Sequence, residues 1–303
     1  MQMHQQINSN KGKTYLFLLL FCLFIGVVVF SISYNFSKES AYLFTTMALV
    51  IALLGSFFTY YNSDKILLRM ANAHPVAKEK DPYLHHTIEG VAIAANIPTP
   101  KAYVIETDIP NAFATGRNPK NSAIAVTRGL LNIMNREELE GVIAHEISHI
   151  KNYDILFSSI AIVLTGTLVY LAAFFRRSLF YGGRGQRRGK RDGGNAIMMI
   201  IGMIIIIFAP LIAKLIQMAL SRNREYLADA TAARTLGYPI GLASALEKLA
   251  KYNNPQKTIE EGFANEATAG LFIVNPLSKN HNIDSLFMTH PPLEKRISNL
   301  RNI

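Results

Sequence analysis

Cysteine is almost missing from this chain of 303 residues: Cys22 stands alone, so no disulfide can form within the chain and nothing in it calls for an oxidising compartment. Charge is scarce as well, at 17% of residues against 50% apolar. The basic residues outnumber the acidic, 31 to 21, but the surplus is local. Residues 176–195 (RRSLFYGGRGQRRGKRDGGN) hold seven Lys or Arg against one Asp, so a general nucleic-acid surface is excluded. That glycine-rich loop suits contact with anionic lipid head groups, or simply a solvated connector. Internal repeats are absent.

What the chain has in abundance is long apolar runs. Four blocks, at 14–36, 41–61, 155–175 and 196–220, each suffice to cross about 30 Å of hydrocarbon as a helix. Lys214 is the one charge among them, close enough to an end to snorkel. The first block follows Lys11 and Lys13 as a signal peptide would, yet its apolar stretch is long for one and no A-x-A site comes after it. It reads as a retained anchor. The expected organisation is a tail at 1–13, a membrane hairpin at 14–61, the first part of a domain at 62–154, a second hairpin at 155–220, and the rest of the domain at 221–303.

Within the first soluble part, DPYLHHTIEGVAIAANI predicts a helix closed by Pro98, and AYVIE and SAIAV predict short strands. NREELEGVIAHEISHIKN predicts a helix capped by Asn135 with acidic residues in its first turn. In the second part SRNREYLADATAARTL predicts a helix ended by Gly237, followed by the helix PIGLASALEKLAKY and a short one after Pro291 and Pro292.

His145, Glu146 and His149 make H-E-x-x-H on the capped helix. Side chains four residues apart share a face, so both imidazoles can bind one Zn²⁺ while Glu146 takes a proton from the water that the metal activates. A catalytic site needs a third protein ligand and an open position. No histidine follows at the spacing of the H-E-x-x-H-x-x-G-x-x-H pattern, and Arg136, Glu137, Glu138 and Glu140 make the helix too polar to lie within the bilayer. That leaves a glutamate on a separate helix. Glu225 and Asp229, also four apart, offer one carboxylate for the metal and one to orient a ligand histidine through its other ring nitrogen. They could equally be an ordinary charged helix surface. Two membrane crossings separate them from the histidines, which returns the chain to the side it left.

These features resemble the HtpX membrane zinc metalloproteases, relatives of the CAAX prenyl endopeptidases: two N-terminal spans, NAFATG at 111–116, HEISH at 145–149, two more spans, SRNREYLAD at 221–229 and THPPLEKRI at 289–297. The resemblance implies an α+β, mostly α fold, with four transmembrane helices and a split gluzincin-type metalloprotease domain. It implies one Zn²⁺ per chain on His145, His149 and Glu225, with Glu146 as general base and Asp229 as the carboxylate behind a ligand. It places Asn111 beside the edge that holds substrate in extended form, for which AYVIE and SAIAV are the available strands. His290 takes the oxyanion-stabilising role, unless it is only a turn residue fixed by the two prolines that follow it. His4, His74, His85, His86 and His281 show no ligand spacing.

The expected partners are the lipid bilayer and membrane-protein or unfolded polypeptide substrates, with no nucleic acid. Quality control of damaged membrane proteins leads; processing of one defined substrate, and a non-catalytic scaffold with a degenerate motif, are the alternatives. The resemblance and the lack of disulfides place the catalytic domain on the cytoplasmic side of a bacterial cell membrane. Lys11, Lys13, Lys65, Arg69, Lys151, Arg222 and Arg224 flank the spans accordingly, against the basic loop at 176–195.

Overall fold

The computed structural model describes residues 2–34, 37–164, 166, 222–252, 256, 271–274 and 291–303. The fourth apolar block, residues 165 and 167–175 of the third, the basic loop and His290 lie outside the described residues.

Helices α1 (Gln2–Tyr34) and α2 (Lys38–Met70) pack side by side and run oppositely, with Leu49 against Gly26 and Cys22 Sγ 3.6 Å from Ser56 Oγ. Their outer faces expose Leu16, Leu19, Leu53, Leu54, Phe57 and Phe58, each more than half uncovered, a surface suited to lipid and not to water. Both are long and apolar enough to cross a membrane. The second outruns the expected end at residue 61. Its 33 residues span about 50 Å, well beyond the hydrocarbon, and the surplus carries Leu67 and Leu68 into buried positions.

That surplus turn meets a four-stranded sheet of β1 (Ala73–Pro75), β2 (Lys101–Ile105), β3 (Ala112–Asn118) and β4 (Asn121–Thr127), in the order β1-β2-β4-β3. Side chains alternate along the strands. Ile105, Phe113, Ala123 and Ala125 pack with Leu68 of α2 and with Ala71 just past its end, while Ala102, Val104, Ala112, Ala114, Ile124 and Val126 join the larger helical core. Strands β2 and β4 pair in parallel; the other two ladders are antiparallel. The order corrects one expectation. The AYVIE and SAIAV strands have neighbours on both sides, so neither has an edge to offer a substrate; β3, within the NAFATG motif, is the edge strand beside the helices, and its outer side meets residues 273 and 274.

The remaining described helices are α3 (Pro82–Ala95), α4 (Arg128–Ile133), α5 (Arg136–Lys151), α6 (Asp154–Leu164), α7 (Arg222–Leu236), α8 (Ile240–Tyr252) and α9 (Leu293–Arg301). The fold is mostly helical α+β with a small mixed sheet. Helix α5 is its axis. The Asn135 side chain accepts from the Glu138 amide, and the Glu138 carboxylate accepts from the Asn135 amide, closing a capping box. Helices α5 and α8 touch backbone to backbone: a Cβ on Gly141 would lie 2.6 Å from the Leu242 nitrogen, and one on Gly241 2.5 Å from the Glu137 carbonyl oxygen.

Candidate metal centre

One turn of α5 carries His145 and His149 on the same face, with their Nε2 atoms 3.2 Å apart. Glu225, in the first turn of α7, completes a triangle. Its Oε2 lies 3.6 Å from His145 Nε2 and its Oε1 3.6 Å from His149 Nε2. Three donor atoms, one from each residue, fall within 4.8 Å of one another.

The far side of each ring is anchored. His145 Nδ1 donates to Asp229 Oδ1 at 2.9 Å, and His149 Nδ1 donates to Asp154 Oδ2 at 3.0 Å. A proton held on Nδ1 leaves the Nε2 lone pair free, so two lone pairs and a carboxylate converge on one point. Such a cluster attracts positive charge. Burial alone would lower the His145 pKa, but the Asp229 and Glu225 carboxylates outweigh it and raise it to about 9. A tetrahedral zinc site with Zn–N bonds of roughly 2.0–2.1 Å has ligand-to-ligand edges of about 3.3 Å, close to the 3.2 Å between the imidazoles and to the 3.6 Å from each imidazole to its nearer Glu225 oxygen. The donor set fits a metal.

Glu146 is buried beside the cluster and accepts a hydrogen bond from the backbone of Ala114 on β3. Burial pushes its carboxyl above the usual carboxylate range, although both histidines pull the other way.

The fully buried guanidinium of Arg296, on α9, faces the centre from the opposite side. Its Nε and Nη2 donate to the two oxygens of Asp229 at 2.8 and 2.7 Å, and its Nη1 donates to the Ile273 carbonyl at 3.2 Å and lies 3.5 Å from Glu225 Oε2. Burial works against the charge on Arg296, but Asp229 and Glu225 hold it firmly protonated. The same guanidinium keeps the Asp229 carboxyl below its ordinary range against the opposing effect of burial.

Sequence reading missed Arg296 and Asp154. A signal for the first exists: Leu293, Arg296 and Leu300 are the buried positions of α9, so a charge sits on the apolar stripe of an amphipathic helix. Asp154 opens the apolar run ILFSS and could have been noticed as an acid at the mouth of a span. Among the residues singled out from sequence, His145, Glu146, His149, Glu225 and Asp229 come together. Asn111 stands at the start of β3, where its Nδ2 donates to the Val274 carbonyl at 2.9 Å and its Oδ1 accepts from the Val274 amide at 3.4 Å. Beside it the Ile273 amide donates to the Ala112 carbonyl at 3.0 Å. His85 is not a ligand; its Nε2 lies 2.8 Å from the Val76 carbonyl oxygen.

Residues 78–303 match the model of peptidase family M48. The chain belongs to that family. It is 47% identical over 298 residues to a protease HtpX homolog of Dictyoglomus turgidum, covering 98% of this chain and 94% of the relative. It is 49% identical over 257 residues to a protease HtpX homolog of Pyrococcus furiosus, covering 85% and 86%. Its fold is similar to a crystal structure of S. mikatae Ste24p, with a TM-score of 0.50 at 20% identity, over 92% of this chain and 61% of that one. This M48 protein is a membrane-bound metalloendopeptidase whose substrates are peptides or proteins.

Proposed function

We propose that the metal of this M48 peptidase is zinc, held by His145 Nε2, His149 Nε2 and the Glu225 carboxylate, and that it serves the hydrolysis of membrane proteins presented as extended strands. The convergence of those three donors, with both imidazoles fixed from behind by Asp229 and Asp154, carries the reading. Zinc bound there would polarise the scissile carbonyl and lower the pKa of a water towards 7.

The chain's own residues do the rest. Glu146, whose burial weakens it as an acid, takes the proton of the attacking water and passes it to the departing amine. Asp229 and Arg296 act as a unit, the first holding the His145 ring and the second the first. Arg296 Nη1 and the Asn111 amide already donate to backbone carbonyls, those of Ile273 and Val274. An extended substrate along the outer edge of β3 takes the place of residues 273 and 274 and meets the same donors and the same Ala112 carbonyl. Recognition through backbone groups tolerates many sequences, which suits quality control of damaged or unassembled membrane proteins. His290 is the proposed donor to the oxyanion.

The architecture supports a centre held at the membrane face. Helix α6, entered two residues after α5 ends, begins the third apolar block, and α7 opens immediately after the fourth. Four spans, with the catalytic part on the cytoplasmic side, agree with the parity of the crossings and with the absence of paired cysteines. Metal analysis of the purified wild type beside Glu225→Ala tests the assignment: one zinc per wild-type chain and little in the variant is the expected result. Equal zinc in both would remove Glu225 from the ligand set.

A further inference from the structure

Asn10 lies in the first membrane helix, 144 positions before Asp154, and is almost wholly buried. Its Nδ2 donates to Asp154 Oδ1 at 2.7 Å and to the Asn152 carbonyl at 2.9 Å. Asp154 uses its other oxygen, Oδ2, to accept from His149 Nδ1. A chain of side chains therefore runs from α1 through a carboxylate to an imidazole of the metal centre.

The turn that presents Asp154 does not hold itself. Tyr153 joins α5 to α6 in the left-handed region, at φ +61°, which side chains with a Cβ rarely adopt without support. Support comes from α1. Lys11 Nζ stands 4.5 Å from the centre of the Tyr153 ring, Asn10 ties down both Asn152 and Asp154, and the Thr14 hydroxyl donates back to the Asn10 carbonyl at 2.9 Å. Arg224 Nη1 approaches Asp154 Oδ1 at 4.0 Å from α7, so the carboxylate is bracketed by a neutral amide on one side and a guanidinium on the other. A neutral donor fixes the carboxylate without removing its charge, which keeps Oδ2 a strong acceptor for His149.

We propose that Asn10 is a positioning residue of the metal centre: by holding Asp154 it sets the tautomer and orientation of His149, so that metal affinity depends on the seating of the first membrane helix. The inference rests on the ligand assignment made above. Helix α1 is then part of the enzyme's working site and not only its anchor.

The test uses full-length protein in detergent, with zinc affinity read by competition against a chelator and ligand geometry read from the visible absorption of the Co²⁺-substituted form. Asn10→Ala is expected to bind zinc about tenfold more weakly than wild type and to shift the Co²⁺ bands, in line with the loss typical of groups that orient ligands. Asn10→Ser, too short to reach Asp154, is expected to do the same and stands in if the alanine variant unfolds. Asp154→Asn is expected to weaken binding at least as much, and the double variant Asn10→Ala/Asp154→Asn no more than Asp154→Asn alone, because the two act in series. Wild-type affinity in the folded Asn10 variants, or losses that add in the double variant, would overturn the proposal. Wild-type protein that binds no metal would instead sink the ligand assignment on which it rests.

Discussion

Arg296 and Asp229 meet through two parallel hydrogen bonds of 2.8 and 2.7 Å in an interior that excludes water from both side chains. Asp229 in turn accepts from His145 Nδ1. A guanidinium fork matches a carboxylate in geometry as well as charge, so the pair fixes the ring plane of His145 more rigidly than a point charge could.

Removing one member deprives the other, still charged and buried, of its main opposite charge, which costs about 3–5 kcal/mol in comparable pairs. Arg296→Met is expected to lower thermal stability by about that much and to weaken metal binding. Arg296→Lys keeps the charge but not the fork, and should recover part of the stability with little of the metal affinity. Differential scanning measurements in detergent decide it; a methionine variant as stable as wild type would show that the pair contributes nothing.

Glu146→Gln keeps size and shape but cannot take a proton. Zinc content should remain at the wild-type level while peptide hydrolysis falls by roughly 10²–10⁴-fold, the range that a general base supplies. A fluorogenic peptide assay beside metal analysis separates the two effects, and retained hydrolysis would refute the role.

The α5–α8 crossing is sensitive to a single methyl group. In Gly141→Ala the added carbon would sit 2.6 Å from the Leu242 nitrogen, which is backbone and cannot swing aside. Separation of the two helices is expected to cost about 1–3 kcal/mol, as overpacked cores do, and to tilt the helix that carries both histidines. Unfolding temperature reads the first effect and zinc affinity the second. An unchanged melting temperature would show that the crossing is looser than its geometry.

Asn111→Ala removes a side chain that holds backbone through both its amide and its carbonyl. With a net contribution of about 1 kcal/mol per hydrogen bond, KM for an extended peptide is expected to rise roughly five- to thirtyfold with kcat less affected. An unaltered KM would take Asn111 out of substrate binding.

The local parts of this protein are written in the sequence because local physics decides them. Asn135 and Glu138, three residues apart, cap α5 through their own side chains and amides, and a helix once formed must bring His145 and His149 to one face. The apolar blocks likewise announce two long helices, since length and composition are the only requirements. Even Arg296 left a trace, as a charge on an apolar stripe.

Contacts across the chain were another matter. Which strand lies at the edge follows from the order β1-β2-β4-β3, in which β2 pairs with β4 across the intervening β3, so the NAFATG segment could be read as a motif but not as the edge. Asp229 finds its guanidinium 67 positions away, and Asp154 finds its amide 144 positions away in a membrane helix. No periodicity or cap encodes such meetings. The sequence by itself determined the main helices, two of the strands and the donor atoms they carry; the tertiary structure alone decided which buried charges face one another, because that depends on how helices from opposite ends of the chain pack around α5.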